Sequence, residues 1–258
     1  MKLAGKVTIP AEYNGIPVVS IGDFRNTINI THVFFLDGAN GSYIRIEDNS
    51  FGVQDDAYLR NISLTGVYIP HSIIYIGGQA FYNHYKLKDF AWHDNITYIG
   101  SSAFSVQRFI NYGYGILEMN ELPAGLKTLG ANAFYGNSDH LTITKLPNNL
   151  TKIEDWVFYK GNDVTISEFG NSLMHIGKSA FAYGGSNISS DTVYFKSSVT
   201  HIGAEAFGKL SNGGTSIYGN GRIKHLYFEN PYTVYENALV TSDKRAIYDA
   251  LSDAEKEA

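Results

Sequence analysis

Hydrophobic residues in this chain recur in a six-residue Phe motif. Its first position is aliphatic, its second is usually Gly, the next two are variable, and a small residue and Phe complete it. Residues 76–81 (IGGQAF) and 129–134 (LGANAF) are two clear copies. The motifs end at Phe51, Phe81, Phe104, Phe134, Phe158, Phe181 and Phe207, which are separated by 30, 23, 30, 24, 23 and 26 residues. Recurrence at a period of about 20–50 residues is typical of a solenoid, in which each repeat stacks on the next.

An alternating apolar stretch precedes each Phe motif and often ends at Pro, as in residues 67–70 (VYIP), 117–123 (LEMNELP) and 141–147 (LTITKLP). Alternation predicts a short strand with one buried face, and Pro ends the strand because it has no N–H to donate. We therefore predict a β-rich repeat solenoid of stacked short parallel β-strands joined by coil or short-helix turns. The Phe of each motif should lie in the core, because one repeat alone buries too little apolar surface to be stable.

The combined pattern, Leu-Pro-x-x-Leu-x-x-Ile-Gly-x-x-Ala-Phe, is very similar to the BspA-like, or Treponema-type, leucine-rich repeats. The opening residues 7–22 also resemble the start of such arrays. The resemblance extends from about Lys6 to about Phe228. It implies a leucine-rich-repeat solenoid from a secreted or cell-surface bacterial protein, a class implicated in adhesion to host matrix proteins and to other bacteria.

Two features depart from the family pattern. Family repeats usually place Cys three residues after the Phe, whereas this chain has no Cys and carries His84, Gln107, Asn137, Gly161, Gly184 and Leu210 there. Some packing other than thiols must therefore close that corner of each repeat. Extra residues also lie between Phe104 and Leu117, between Ala182 and Val193, and between Gly208 and Ile223. Insertions in solenoids form loops, sometimes on the binding face.

Composition favours one folded repeat domain. Hydrophobic residues make up 44% and charged residues 17% of the chain, which suits a continuous core. We assign residues 1–231 to a solenoid of about eight rungs and residues 232–258 to a C-terminal cap and polar tail. The net charge of −5, with 20 basic residues, argues against a nucleic-acid partner.

Membrane and targeting segments are not apparent. No apolar run of about 18 residues exists to form a transmembrane helix. Residues 1–5 lack the apolar region of a signal peptide. The extracellular or cell-surface location implied by the resemblance would thus require a signal or anchor outside this sequence.

Catalytic and metal motifs are not found in the sequence. The eight His residues lack metal-binding spacing, and no nucleophile elbow or dinucleotide motif occurs. His175 and His201 occupy equivalent rung positions, which predicts solvated or stacked rings. We therefore expect a non-enzymatic protein without a cofactor or metal.

Outward side chains of successive strands should align about 4.8 Å apart and form a row. The predicted outward positions are Tyr68, Asp89, Trp92, Glu118, Lys145, Glu168, Tyr194 and Tyr227. Because Tyr and Trp are enriched in recognition hot spots, we predict partner binding by Tyr68, Trp92, Lys145, Glu168, Tyr194 and Tyr227. The alternative is that these aromatic rings only cover strand edges.

Three functions are compatible with the sequence. The first is an adhesion module that binds a host extracellular matrix protein or another bacterial surface protein. The second is a structural spacer or scaffold within a larger surface protein. The third is a glycan-binding or glycan-cleaving protein, in which Trp92, Tyr194 and Tyr227 would stack on sugars and Glu118 and Glu121 would act as acids. This third function is the weakest, because carboxylates on one strand do not face each other across a cleft.

Overall fold

The computed structural model describes residues 4–24, 29–37, 44–53, 63–107, 115–137, 140–160, 166, 169–182, 192–207, 225–230 and 232–235. This part of the chain contains β-strands joined by turns, and no helix. The strands are β1 (Gly5–Ile9), β2 (Glu12–Tyr13), β3 (Ile16–Pro17), β4 (Ser20–Ile21), β5 (Ile30–Phe35), β6 (Ile44–Ile46), β7 (Gly66–Tyr68), β8 (Ile73–Ile76), β9 (Asp89–Phe90), β10 (Tyr98–Ile99), β11 (Thr128–Leu129), β12 (Lys152–Ile153), β13 (His175–Ile176), β14 (Thr192–Phe195), β15 (His201–Ile202), β16 (His225–Phe228) and β17 (Val234–Tyr235).

Two parallel sheets run along the stack of rungs. The nine-stranded sheet has the order β17-β15-β13-β12-β11-β10-β8-β6-β4, and the four-stranded sheet has the order β1-β5-β7-β9. Strands β14 and β16 form a further parallel pair, and β2 and β3 form an antiparallel hairpin. The predicted solenoid of stacked short parallel strands is confirmed, and its described turns are coil.

Each rung changes direction between the two sheets at a short turn. Pro70 illustrates this turn: its carbonyl accepts a hydrogen bond from the Ile73 N–H at 3.1 Å. The Pro123 and Pro147 carbonyls accept equivalent bonds at 3.0 and 3.1 Å. Since Pro cannot donate to the strand ladder, its position separates the two strands of a rung.

The Phe side chains of the motifs form one continuous stack through the core. Neighbouring ring centroids are between 5.0 Å (Phe24 and Phe51) and 5.7 Å (Phe134 and Phe158) apart, and the planes of those two pairs differ by 15° and 2°. Phe134 has no exposed surface. The prediction that these residues are core residues is therefore confirmed.

The Phe motif also determines a sharp backbone corner. Its fourth residue has a positive φ in every copy described: Asn49, Gln79, Ser102, Asn132, Trp156, Ser179 and Glu205 have φ between 50° and 59°. After this corner, the N–H of each Phe bonds to the next rung, as Phe81 does to the Ala103 carbonyl at 2.7 Å. The motif recurs because every rung makes the same turn and the same inter-rung bond.

Polar side chains close two of the corner slots in which family repeats place Cys. His84 Nε2 donates to the Phe51 carbonyl of the preceding rung at 2.7 Å, and Asn137 Nδ2 donates to the Phe104 carbonyl at 2.5 Å. Burial lowers the pKa of His84 to about 4, although the Phe51 carbonyl partly opposes this shift. The corner is thus closed by a hydrogen bond to the neighbouring rung.

The four-stranded sheet does not extend past β9. Residues 117–123 and 141–147, which the sequence predicts as strands, contain isolated bridge residues only: Met119, Leu141 and Lys145, of which Met119 and Leu141 pair with each other. A second isolated bridge joins Gly115 and Asn137. The prediction of regular strands in these two rungs is therefore wrong.

A change in the spacing of buried residues explains the interruption. Phe90 and Trp92, the apolar residues that end the segment containing β9, are two positions apart, whereas the corresponding Met119 and Leu122 are three apart. Residues 141–146 repeat this longer spacing. A shift of one residue reverses which side chains face the core, so the regular ladder cannot continue from β9 onto residues 117–122.

Candidate functional site

A groove opens where the four-stranded sheet stops. The Glu118 N–H still bonds to the Lys88 carbonyl of the segment containing β9, at 2.9 Å. Beyond that bond the two rungs diverge, because the Phe90 carbonyl accepts from its own neighbour, the Trp92 N–H, at 2.8 Å. The Met119 carbonyl accepts from Thr142 of the following rung at 2.9 Å. The space between the diverging rungs measures about 860 Å³.

This Trp92 groove has an apolar floor and a polar rim. Phe90 and Met119 are 7% and 3% exposed, whereas the rim side chains are solvent-accessible. The groove is lined by Phe90, Ala91, Trp92, Glu118, Met119, Asn120, Glu121, His140 and Thr142. An apolar floor with a few polar groups at its edge is typical of ligand-binding sites.

Trp92 is the central aromatic side chain of the groove. The sequence predicts that Trp92 faces outward, whereas the indole is partly buried and packs on the core. Its ring centroid lies 4.3 Å from that of Phe90 and 5.1 Å from that of Phe104. The indole Nε1 donates to the Glu118 carbonyl at 3.2 Å. These contacts hold the ring in place while part of its surface lines the groove.

The charge of the groove is negative. Glu118 is paired with Lys88 at 3.2 Å, and both side chains are about half exposed. Within the described part of the chain, the Glu121 carboxylate has no ion-pair partner. None of the lining residues that the structure describes is Lys or Arg. Glu121 therefore contributes a negative charge that no lining cation balances.

The rim is ordered by a hydrogen bond between neighbouring rungs. Thr142 Oγ1 donates to Asn120 Oδ1 at 2.8 Å. Because Thr142 holds Asn120 Oδ1, the orientation of the Asn120 amide NH₂ is fixed as well. The segment that carries Glu121 is thereby attached on its other side to residues 140–142.

The other predicted site residues lie elsewhere. Tyr68 is 37% exposed, and its ring stacks on Phe34 with a centroid distance of 4.7 Å. Lys145 is exposed. Tyr194 and Tyr227 are register partners in the neighbouring strands β14 and β16, whereas Glu168 lies outside the described residues. Tyr68 and Lys145 do not line the groove.

The nine-stranded sheet carries a second row of side chains. Arg45 Cζ lies 3.7 Å from the centroid of the Tyr75 ring, and Tyr75 stacks on Tyr98 at 4.3 Å. Burial, followed by the neighbouring Tyr98, raises the pKa of Tyr75. His175 and His201 stack at 4.5 Å, as predicted. Because these groups contact one another along the row, this sheet offers fewer unpaired groups to a partner.

Sequence reasoning missed six of the described lining residues: Phe90, Ala91, Met119, Asn120, His140 and Thr142. Two signals in the sequence mark the place. Extra residues precede Leu117, and Trp92 stands before the turn where the two flanking rungs have Ile69 and Leu122. Neither signal indicates that the ladder breaks between these two rungs, because that depends on the spacing of buried residues on both of them.

Two classes of site are not seen in the described ranges. No three His, Asp or Glu side chains there lie close enough together to hold a metal ion. The same residues contain no helix of a length and hydropathy that would cross a bilayer.

Comparison with known proteins identifies similar repeats. The family profile described as BspA type leucine rich repeat region matches residues 24–114 and 112–212, with six copies. No curated protein matches the sequence. The leucine rich repeat protein of T. pallidum has 20% identity, with 68% of this chain and 74% of that chain covered and a TM-score of 0.48.

Two further solved structures are similar. The pneumococcal vaccine antigen PcpA has 17% identity, 95% of this chain and 76% of that chain covered, and a TM-score of 0.38. A leucine rich cell surface protein from Faecalibacterium prausnitzii has 16% identity, 95% and 90% covered, and a TM-score of 0.35. At these identities and TM-scores the similarities carry no argument about function.

Proposed function

Because the chain belongs to the BspA-type leucine-rich repeat family, we propose that it is a non-enzymatic protein-interaction module of a secreted or cell-surface bacterial protein. Its partner is a host extracellular matrix protein or another bacterial surface protein. The interaction uses two surfaces. One is the interrupted face, which comprises strands β1, β5, β7 and β9 together with residues 117–122 and 141–146; the other is the strand pair β14 and β16, which carries Tyr194 and Tyr227.

The observation that carries this proposal is the groove at the interruption. A solenoid provides an extended surface on which each rung contributes side chains at a fixed spacing. On the interrupted face, the groove provides a concave site of about 860 Å³ with an apolar floor, and Tyr68 and Lys145 are exposed on the same face. An aromatic anchor within a polar rim is the arrangement found at protein-binding hot spots.

The test is binding of the purified protein to immobilised host matrix proteins, bacterial envelope fractions and polysaccharides at physiological salt. We expect saturable binding to a protein, with affinity reduced by about tenfold in Tyr68→Ala, as for a hot-spot residue. Tyr194→Ala and Tyr227→Ala should weaken binding without changing the melting temperature. Thr128→Ala, an exposed residue of the nine-stranded sheet, is the matched control and should bind normally.

Saturable binding that Thr128→Ala weakens and Tyr68→Ala does not would place the interaction on the nine-stranded sheet instead. No saturable binding to any protein would contradict the proposal and favour a structural spacer.

Glycan binding is a second candidate, because the groove brings Trp92 beside Glu118 and Glu121. Aromatic rings with adjacent polar groups suit sugar binding. Saturable binding to a polysaccharide that is lost in Trp92→Leu would support this function instead. Release of reducing sugar from a bound polysaccharide would further indicate cleavage.

A further inference from the structure

We propose that the Trp92 groove binds an arginine side chain of the partner protein, with the guanidinium between the Trp92 indole and the Glu121 carboxylate. This inference rests on the proposed function and assigns the chemistry of its binding site. The occupant follows from the charge and shape of the groove.

Charge complementarity is the first argument. The rim carries two carboxylates, and Lys88 neutralises only that of Glu118, at 3.2 Å. Glu121 is exposed, and the described part of the groove lining contains no Lys or Arg to pair with it. A cationic ligand would balance this charge, whereas an anionic ligand would be repelled.

The aromatic floor is the second argument. Phe90 and Trp92 lie 4.3 Å apart at an interplanar angle of 37°, and both line the groove. A cation over the face of Trp is attracted by the ring quadrupole. Guanidinium both stacks on aromatic rings and pairs with carboxylates through two parallel hydrogen bonds, whereas ammonium is a compact, strongly hydrated charge. The combination therefore favours arginine over lysine.

The preorganisation of the groove is the third argument. The Trp92 N–H is occupied by the Glu118 carbonyl at 3.2 Å, so the indole presents its ring rather than a donor. The Thr142 hydroxyl bonds to Asn120 Oδ1 at 2.8 Å, which holds the rung that bears Glu121. Fixed groups lose little entropy when a ligand binds.

The probe is N-acetyl-arginine amide, titrated into the full chain in a Trp156→Phe background. This background leaves Trp92 as the only tryptophan, so its fluorescence reports the groove directly. We expect a saturable change in Trp92 emission that weakens as salt is raised, because exposed charge pairs are screened. N-acetyl-citrulline amide, which has nearly the same shape without the charge, should bind at least about tenfold more weakly.

Two variants locate the site. Glu121→Gln should weaken binding of N-acetyl-arginine amide by at least about fivefold, since it removes the unpaired carboxylate. Glu12→Gln removes an equal charge from an exposed position in the β2–β3 hairpin and should leave binding unchanged. Thermal melts of both variants check that the fold is retained.

Equal binding of the citrulline and arginine probes, or unchanged arginine binding in Glu121→Gln, would overturn the inference. So would an oligosaccharide that saturates the Trp92 signal when the arginine probe does not, because the groove would then be a glycan site. Binding of an immobilised protein that depends on Tyr68 but is not competed by N-acetyl-arginine amide would leave the proposed function intact and refute this inference. Binding of N-acetyl-arginine amide to the groove, without saturable binding of the chain to any protein, would contradict the proposed function and leave the arginine site intact.

Discussion

The nine-stranded sheet and the interrupted face are built from the same rungs but differ in regularity. In the nine-stranded sheet, one register is kept from rung to rung: Ile76 pairs with Ile99, Leu129 with Ile153, and Ile176 with Ile202. On the interrupted face, pairing continues from β1 to β9 and then gives way to isolated bridges. The strands of the nine-stranded sheet lead directly into the backbone corner that recurs in the Phe motif. The strands of the interrupted face are not followed by this corner.

This difference separates stability from recognition. The Phe motif supplies the buried stack, the corner and the inter-rung hydrogen bonds, so changes there should alter the free energy of unfolding. The interrupted face carries the groove and exposed side chains, so changes there should alter binding with little effect on stability. Substitutions on the two sides of a rung can test this division.

The largest effect is expected for Phe134→Ala. Phe134 is fully buried and stacks between Phe104 and Phe158 at centroid distances of 5.6 and 5.7 Å. Removing the ring leaves a cavity in the stack and should lower the free energy of unfolding by about 3–5 kcal/mol. Urea denaturation measures this loss. Tyr68→Ala, on the interrupted face, should change the unfolding free energy by less than about 1 kcal/mol, and similar losses in both variants would contradict the division.

His84 predicts a pH dependence at the corner between the two faces. Its folded-state pKa is about 4, below the ordinary value of 6.5, because the ring is buried. The native state therefore binds fewer protons than the unfolded state between these values. Stability from this group is full above pH 6.5 and is lost as the pH falls toward 4, by about 3 kcal/mol in total.

His84→Asn is the control for this pH dependence. Asn137 occupies the equivalent slot and donates to the Phe104 carbonyl, so Asn can replace the hydrogen bond without titrating. Chemical denaturation at pH 7 and at pH 4.5 should show a smaller loss of stability in the variant than in the parent protein. Parallel losses would mean that His84 is protonated without cost in the folded state.

The sequence predicts the regular side of the rung well and the interrupted face poorly, for a physical reason. The Phe motif has the same spacing in each copy, and Phe81 or Phe134 can be assigned to the core from that period alone. The groove depends on two neighbouring rungs, because the spacing from Phe90 to Trp92 differs from the spacing from Met119 to Leu122 only when the two segments are compared. Each segment alternates acceptably by itself, so both segments appear to be strands when they are examined separately.

Trp92 shows the same limit at a single residue. Alternation predicts an outward side chain, but the indole is large enough to pack on Phe104 of the core and still line the groove. Its placement follows from the space left by the diverging rung, which a pattern within one strand does not contain. The corner slot is a further example, because the sequence excludes Cys there but does not identify the carbonyl that His84 meets.

The smallest of these effects is expected where one rung rests on the next in the nine-stranded sheet. A Cβ added at Gly100 would overlap the backbone N of Gly78 in the preceding rung. At Gly22, by contrast, an added Cβ meets no atom within 4 Å. Gly100→Ala should therefore lower the free energy of unfolding by about 1–3 kcal/mol through overpacking, whereas Gly22→Ala should be nearly neutral.

The loss of unfolding free energy expected for Gly100→Ala is limited, because Glu154 occupies the same motif position in another rung. A side chain is thus accepted at this position where the neighbouring rungs have adjusted to it, so Gly100→Ala should shift the rungs rather than unfold the protein. Thermal melts of the two glycine variants measure the difference, and binding of N-acetyl-arginine amide should be the same in both. Equal stability of the two variants would mean that the close contact between rungs is not a source of the regular register. A loss of arginine binding in Gly100→Ala would mean that the two faces of the solenoid are coupled, because strain in one sheet would then reach the groove in the other.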